Sequence, residues 1–460
     1  MPPLDTMAPP LGLVFCTPIH KSPPTIHSIP LEVLSEIFIL ALPTDQELYS
    51  RPQFYDNERR NLINPTLVLC AVCSSWRFLA FSIPRLWTRI LIHIPHGINE
   101  AQAKRKAADL VQWILRSRSR PLTLHISGSF INFPDTSTRP EARIISVINN
   151  HAACWESLHS RDFNLSSPLF HTNGWHSLRR LHYYYSDPAP CANEIVPSGH
   201  LTHLQIQHYI PCRDATMIFM TCPKLVYLSI MVDTSKFEPS TVPTIMQDLA
   251  TFYLKHCAAK PRTILHRLSL PSLQDISISE ISSGDIESLI NLFTRSSCTL
   301  DRLEICGVNL TSRDYLNILA HSSCDSLTSL SIRPLYLGYV PIDEEVLRRL
   351  TLHRHDTMCS HLSSLTIDYC ISSYLFSAVL NMAKSRIGPA ASQVPGEPTL
   401  QYLWLNLKCR TEENMAELDR VGRGSGMKYS RNEFRPCCFS VQLQKQGFTE
   451  PPNFSELFWS

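Results

Sequence analysis

A short apolar phrase, Leu-x-x-Leu-x-Leu or a close variant, recurs along most of this chain and restricts its fold more than any other feature. Clear copies begin at Leu178, Leu201, Leu225, Leu273, Leu300, Leu327, Leu362 and Leu400. Weaker forms run from Leu122 to Ile126 and from Trp155 to Leu158. Between 155 and 327 the starts fall 23 to 27 residues apart, apart from one gap of 48, two units long. The last two intervals, 35 and 38, are longer and imply insertions. Within a copy the apolar residues alternate, which sends them to one face of a short strand. Helical stretches intervene, such as 286–293, 315–319 and 374–382. A unit of this size cannot bury its own apolar face, so neighbours must stack. The competing reading is one compact α/β domain. Residues 249–254, with Leu249, Phe252 and Leu254, fall midway across the long gap but also read as a helix, and stay open.

A different pattern occupies 29–87. Pro30 suits the first turn of a helix, Ser28 can cap it, and Glu32 favours the positive end of its dipole. From Ile37 to Leu42 the helix is apolar on every face, so part of that surface is expected to meet another protein. Asn64 and Pro65 read as the cap and first residue of a second helix carrying Leu67, Val68, Ala71 and Val72 on one face. A third helix around 76–82 stops before Pro84.

These motifs carry two resemblances. The phrase and its period resemble leucine-rich repeats, in a degenerate array whose usual later asparagine is mostly absent; Asn309 is a candidate for one such place. The 29–87 segment resembles the F-box. It has Ile29-Pro30 for the opening Leu-Pro, then Val72-Cys73 with Trp76 three residues on, and finally Leu86-Trp87. A polar insertion at 43–63 interrupts it, as in F-box-like proteins abundant in mushroom-forming fungi. The fold class expected is α/β, with a short all-helical F-box-like domain followed by a leucine-rich-repeat solenoid. The divisions are a disordered proline-rich 1–25, an F-box-like 26–95, a basic linker helix 96–120, an array 121–410 and a tail or cap 411–460. The aromatic end, Phe454 to Trp459, is a candidate docking element.

The resemblance implies a Skp-type adaptor, and through it a cullin ubiquitin ligase, as partner. The residues matching the adaptor-facing pattern are Pro30, Leu31, Leu34, Ile37, Phe38, Val72, Trp76, Leu86 and Trp87. It also implies that residues flanking each central leucine line a concave, substrate-binding surface. Two anchor patches are expected there, one at Arg180, His182, His203 and Tyr227 and one at Tyr402 and Trp404. Tyr402 and Trp404 have an alternative use, packing under the C-terminal tail. The alternative for the whole chain is a repeat scaffold whose helical segment only caps the solenoid.

Composition narrows the chemistry. A formal charge of +2 over 460 residues demands neither nucleic acid nor an acidic partner. Thirty-four prolines against fourteen glycines leave little material for a glycine-rich phosphate loop, and no metalloprotease, dinucleotide or serine-elbow motif is present. Sixteen irregularly spaced cysteines among apolar residues read as buried thiols of a reducing compartment, so the chain is expected to be cytoplasmic or nuclear. The prolines around 11–15 argue against a signal peptide, and no apolar run is long enough to span a bilayer. Three Asn-x-Ser/Thr triplets, at Asn164, Asn309 and Asn453, carry little weight without a secretory signal. Lys104, Arg105, Lys106, Arg116, Arg118 and Arg120 make 99–120 basic, which reads as a solvated helix face rather than a membrane-binding one. Cys70 and Cys73 have zinc half-site spacing without a second pair and read as core; Cys437-Cys438 lacks nearby partners. His176, His182, His200, His203 and His208 fall in or near strands and read as structural. No cofactor, metal or catalytic residue is expected, and a cysteine hydrolase would need a thiolate of depressed pKa.

Overall fold

The leucine phrases become strands that lie side by side in chain order. The computed structural model describes residues 29–43, 65–95, 97–128, 139–161, 175–184, 199–233, 244–255, 261–334, 342–352, 356–387, 400–408, 412–424, 427–435 and 438–445. The expectations for 1–25, Ser28, Asn64, Cys437, nearly all of the 43–63 insertion and the aromatic end lie outside these residues.

The chain opens with helices α1 (Leu31–Leu40), α2 (Pro65–Val72) and α3 (Ser74–Ser82) and a 3-10 turn, Pro84–Trp87. Strand β1 (Arg89–Ile94) and helix α4 (Glu100–Arg116) follow, then β2 (Leu122–Gly128), α5 (Glu141–Asn150), β3 (Trp155–Arg161) and β4 (Arg180–Tyr184). Next come β5 (His203–Pro211), α6 (Cys212–Thr221), β6 (Tyr227–Asp233), β7 (Thr244–Ile245), β8 (Thr251–Lys255), α7 (Arg262–Leu265) and β9 (Leu268–Ser269). Strand β10 (Asp275–Ser282), α8 (Ile286–Ser296), β11 (Arg302–Val308), α9 (Ser312–Leu319), β12 (Ser329–Pro334), α10 (Glu344–Arg349) and β13 (Ser364–Ser372) continue the alternation. The last elements are α11 (Phe376–Ile387), β14 (Tyr402–Lys408), α12 (Glu412–Gly424), β15 (Met427–Arg435) and β16 (Cys438–Lys445).

The fold is mixed α/β, built on one large, mostly parallel sheet of fourteen strands. Its order is β1 to β6, then β8, β10, β11, β12, β13 and β14, with the hairpin β16–β15 last and antiparallel. β7 and β9 pair separately. Register explains the leucine spacing: Leu181, Leu204, Leu228, Phe252, Ile276, Leu303, Leu330, Leu365 and Leu403 are successive partners across the sheet. All are buried, in one core shared with helix residues such as Leu289, Leu292 and Phe293. Helices from α7 to α12 each touch the next, forming a row.

The structure sharpens or changes five sequence expectations. Residues 89–94 belong to the sheet, not to the helical unit: Ile90, Ile92 and Ile94 face the core and β1 pairs with β2. Residues 96–120 are no linker, because α4 buries Ala103, Leu110, Trp113 and Ile114 and is fixed by a capping box from Asn99 and Gln102. The open segment at 249–254 supplies β8, which fills the long gap as a strand. The tail or cap expected from 411 contains a helix and a hairpin. The hairpin extends the sheet, and β16 takes up the edge of β14 that would otherwise stay unpaired. At the other end, Pro30 occupies the cap position and α1 starts one residue later than expected.

Gly128 ends β2 at φ +156°, opposite Ile94 in β1. A Cβ there would sit 2.2 Å from the Ile94 carbonyl oxygen, which the sheet holds in place. Gly128→Ala should therefore destabilise by about 1–3 kcal/mol through backbone strain. A lowered midpoint in denaturant unfolding is the expected result; an unchanged midpoint would mean that the β1–β2 end relaxes freely.

Candidate functional site

The helical unit shares one core with α4 and the sheet and still leaves apolar side chains outside. Leu34 and Phe38 of α1 are buried in the core that also holds Leu79, Ala80, Leu86 and Trp87, and α1 touches α3 and the 3-10 turn. Trp87 Nε1 donates to the Ala80 carbonyl at 2.8 Å, and Thr66 Oγ1 donates to that of Leu86 at 2.9 Å. The Phe38 and Trp76 rings lie 4.7 Å apart, while Trp113 of α4 meets Trp87 edge-on at 4.7 Å. The Arg116 guanidinium lies 4.5 Å from the Phe81 ring and 4.6 Å from that of Trp87, a cation–π clamp joining the unit to α4.

This geometry corrects part of the expected adaptor face. Leu34, Phe38, Leu86 and Trp87 are buried, so no partner can reach them without unfolding the unit. Trp76 is half-buried, and Pro30, Leu31, Ile37 and Val72 are exposed. The exposed set also includes residues outside the matched motif: Val33, Leu40, Leu67, Val68 and Phe78, with Leu40 81% and Phe78 79% exposed. Helical spacing could have shown Val33, Ile37 and Leu40 to share a face, opposite Leu34 and Phe38. Cys70 is buried and its thiol pushed up by burial, whereas the Cys73 sulfur caps α3 by accepting the Trp76 N–H at 3.4 Å. That pair serves packing and capping.

The second surface is the polar face of the sheet, opposite its leucine face. Residues flanking the central leucines align across it in two adjacent rows. One row runs Arg180, His203, Tyr227, Thr251, Asp275 and Arg302; the other begins His125, His159, His182 and Gln205. So Arg180, His182, His203 and Tyr227 are brought together on adjoining strands. Arg180 is exposed and pairs with Glu156 at 3.0 Å. The His203 and Tyr227 rings stack at 6.0 Å, and Tyr227 meets Tyr253 edge-on at 5.6 Å. Burial pushes the Tyr227 phenol up to about 12, against a hydrogen bond from Ser229 that lowers it. Burial and the nearby Arg180 lower His203.

Sequence reasoning missed His125 and His159. Their rings stack at 4.4 Å, only 5° from parallel, and the His182 ring lies 4.4 Å beyond, tilted by 30°. Burial holds His159 well below the ordinary histidine value, with further lowering by His125, His182, Arg180 and Arg89. The signal was present: each histidine follows the central leucine of its phrase, as Leu124-His125, Leu158-His159 and Leu181-His182.

Towards the middle strands the face becomes internally paired. Glu304 accepts a hydrogen bond from Ser277 Oγ at 3.0 Å and pairs with Arg333 Nε at 3.3 Å. Burial lowers Lys255 to about 7, against the pull of Glu304. The second expected anchor patch divides. Tyr402 is only 2% exposed, set between Ser364 and Gln444 of the flanking strands, which agrees with its alternative use, packing against the C-terminal tail, rather than with an anchor on the open face. Trp404 is half-buried, paired in register with Thr366 and Gln442.

Thiols elsewhere move away from nucleophilic character: burial pushes Cys222 and Cys306 up to about 11 and Cys359 to about 12. Among the described residues no cluster of three or more His, Cys, Asp or Glu side chains could hold a metal ion. No described helix is long and apolar enough to cross a membrane.

His176 and His200 are exposed, while His208 lies on the core side of β5, edge-on to Tyr183 at 5.0 Å. Burial lowers it to about 4. The unfolded chain takes up this proton near 6.5 and the folded chain only near 4, so His208 erodes stability as pH falls through that window. His208→Gln should flatten the loss of stability between pH 6.5 and 4, read from denaturant midpoints at several pH values. An unchanged slope would mean that other groups account for all of it. Compared with known proteins, the chain matches no family model and no curated protein.

Proposed function

We propose that this protein is the substrate-recognition subunit of an SCF-type ubiquitin ligase. In this reading α1–α3 form an F-box-like unit that docks on a Skp-type adaptor, and the sheet with its row of helices is a leucine-rich-repeat solenoid presenting a protein substrate. The observation that carries it is the helical unit's surplus of exposed large apolar side chains outside the core it shares with the sheet. A folding unit gains nothing by leaving Leu40, Leu67, Val68, Val72 and Phe78 in water, and such surfaces mark association. Strand order following chain order supports the solenoid, since stacked repeats place each unit beside the next. Such a subunit makes and breaks no bonds; it raises the effective concentration of a substrate beside the ubiquitin-carrying enzyme.

The test is co-purification of the full chain with a Skp-type adaptor. A stable one-to-one complex is the expected result. A folded, monodisperse chain with no affinity for the adaptor would leave the second reading, an interaction scaffold, favoured by the integration of α4 and the helical unit into one core with the sheet.

A further inference from the structure

Helix α4 is tied to the core by one face and carries unpaired positive charge on the other. Ala103, Leu110, Trp113 and Ile114 are buried, whereas Ala101, Lys104, Arg105, Ala108, Gln112 and Leu115 are exposed. Arg118 and Arg120, in the turn that follows, are exposed as well. Among the described residues, Lys104, Arg105, Arg118 and Arg120 form no ion pair. The acidic residues of the helix do not balance them: Glu100 pairs with Arg143, and Asp109 makes no ion pair with Arg105 four residues before it. A helix face that only meets water gains from opposite charges paired three or four residues apart, and this one does without them.

The spacing of these charges selects the ligand. Lys104 lies about 18 Å along the axis from Arg116, and Arg118 and Arg120 follow directly, so the basic groups stand at two ends. Arg118 and Ser119 are held at φ +52° and +60°, and the Arg120 N–H donates to the Ser117 carbonyl at 3.3 Å, which fixes the backbone of the second group. Arg116 is committed to the Phe81 and Trp87 rings and brings the end of α4 beside the exposed Phe78 and Phe81 of α3. Between the two groups lie Ala108, Asp109, Gln112 and Leu115, the last 63% exposed. Recognition of one phosphate calls for several donors converging on a single point. Duplex nucleic acid carries a charge about every 1.7 Å of its axis and, like an anionic bilayer, would lay charge against Asp109 and the apolar middle. A protein segment with carboxylates at two places and apolar side chains between them matches both parts. The exposed Ala101, Arg105, Ala108, Gln112 and Leu115 follow one another at steps of four, three, four and three, the seam against which a second helix packs.

We propose that α4 is the docking helix for an acidic amphipathic helix of a partner protein, whose carboxylates meet Lys104 and Arg105 at one end and Arg118 and Arg120 at the other while its apolar residues cover Leu115. The basic side chains are exposed and unpaired, so incoming carboxylates displace water from them and break no internal ion pair. The fixed turn at 118–120 lowers the entropy lost on binding. The inference does not rest on the ligase reading, because α4 follows the F-box-like motif and is no part of it.

The test uses the full chain and two labelled helical peptides of one composition, the first with glutamates at both ends of a leucine-alanine middle, the second with all its glutamates in the middle. A DNA duplex and vesicles of phosphatidylserine and phosphatidylcholine serve as competing polyanions. By fluorescence anisotropy the first peptide is expected to bind, with affinity falling as salt rises, and the second about fivefold or more weaker. Carbodiimide coupling, which joins a peptide carboxylate to a lysine amine, is expected to mark Lys104 or Lys106. Lys104→Glu with Arg105→Glu, and separately Arg118→Glu with Arg120→Glu, should each weaken binding about tenfold, with the thermal midpoint checked in parallel. Coupling to the unaltered chain tests the proposal even where a variant misfolds. Absence of binding, equal binding of the second peptide, the duplex or the vesicles, coupling confined to lysines outside α4, or full affinity in both folded variants would each overturn the proposal. Adaptor capture is read at the helical unit, so a chain that binds adaptor but no acidic peptide sinks this inference alone. One that binds peptide but no adaptor sinks the ligase reading alone.

Discussion

Phe38→Asp is expected to unfold the helical unit, whereas Leu40→Asp, two residues on, is expected to leave it folded and weaken adaptor capture. Phe38 is 1% exposed and packed against Trp76, and Leu40 is 81% exposed. An aspartate at 38 forfeits the burial of a phenylalanine and places a charge among apolar groups, together roughly 4 kcal/mol or more. That exceeds what a short helical bundle can lose, so 29–87 should become protease-sensitive. At 40 the carboxylate stays in water and costs the fold little. If Leu40 and Phe78 are anchors, two contributions of roughly 1.5 kcal/mol amount to about a hundredfold in affinity for Leu40→Asp with Phe78→Asp. Limited proteolysis and adaptor titration on the same variants separate the effects. Full adaptor affinity in the folded double variant would remove the apolar face from the proposal.

This contrast marks where sequence stops being informative. From Ile37 to Leu42 every residue is apolar, so periodicity groups Val33, Ile37 and Leu40 on one face of α1 but cannot say which face meets the core. Only the packing of α1 against α3 and the 3-10 turn decides that Phe38 is inside and Leu40 outside. The matched motif therefore mixed core residues with surface ones. The sheet was more legible, because a leucine phrase recurring at a near-constant interval has few ways to bury its apolar side. Its ends were less so. Strand β1 alternates correctly but adjoins the helical unit with no phrase before it. The hairpin β15–β16 lacks the leucine phrase, although β16 alternates Phe439, Val441 and Leu443 with polar residues, and its pairing with β14 sets Gln444 beside Tyr402. The histidine stack escaped notice because register, not sequence proximity, brings His125, His159 and His182 together.

Arg386→Met should be among the most damaging substitutions in the sheet-and-helix region. Arg386 is fully buried near the end of α11. Its Nε donates to the Leu350 carbonyl at 2.5 Å, and Nη2 donates to those of Met358 and Cys359 at 3.1 Å each. Its own carbonyl accepts the Leu400 N–H at 3.0 Å, immediately before β14. One side chain thus joins the turn after α10 to the helix that leads into the last parallel strand. Methionine keeps much of the length and the apolar contact but removes every donor. Replacing a buried polar group is tolerated when its partners leave with it; here the partners are backbone and remain. Cys359 O still accepts the Leu362 N–H at 3.2 Å, so the Leu350 and Met358 carbonyls carry most of the penalty. The expected loss is about 3–5 kcal/mol, read as a lowered denaturant midpoint. Arg386→Lys should recover less than half of it, because a single ammonium cannot reproduce the planar fork that serves carbonyls on two sides. If methionine proves neutral, packing alone holds this joint, and the guanidinium's hydrogen bonds only offset the cost of its burial.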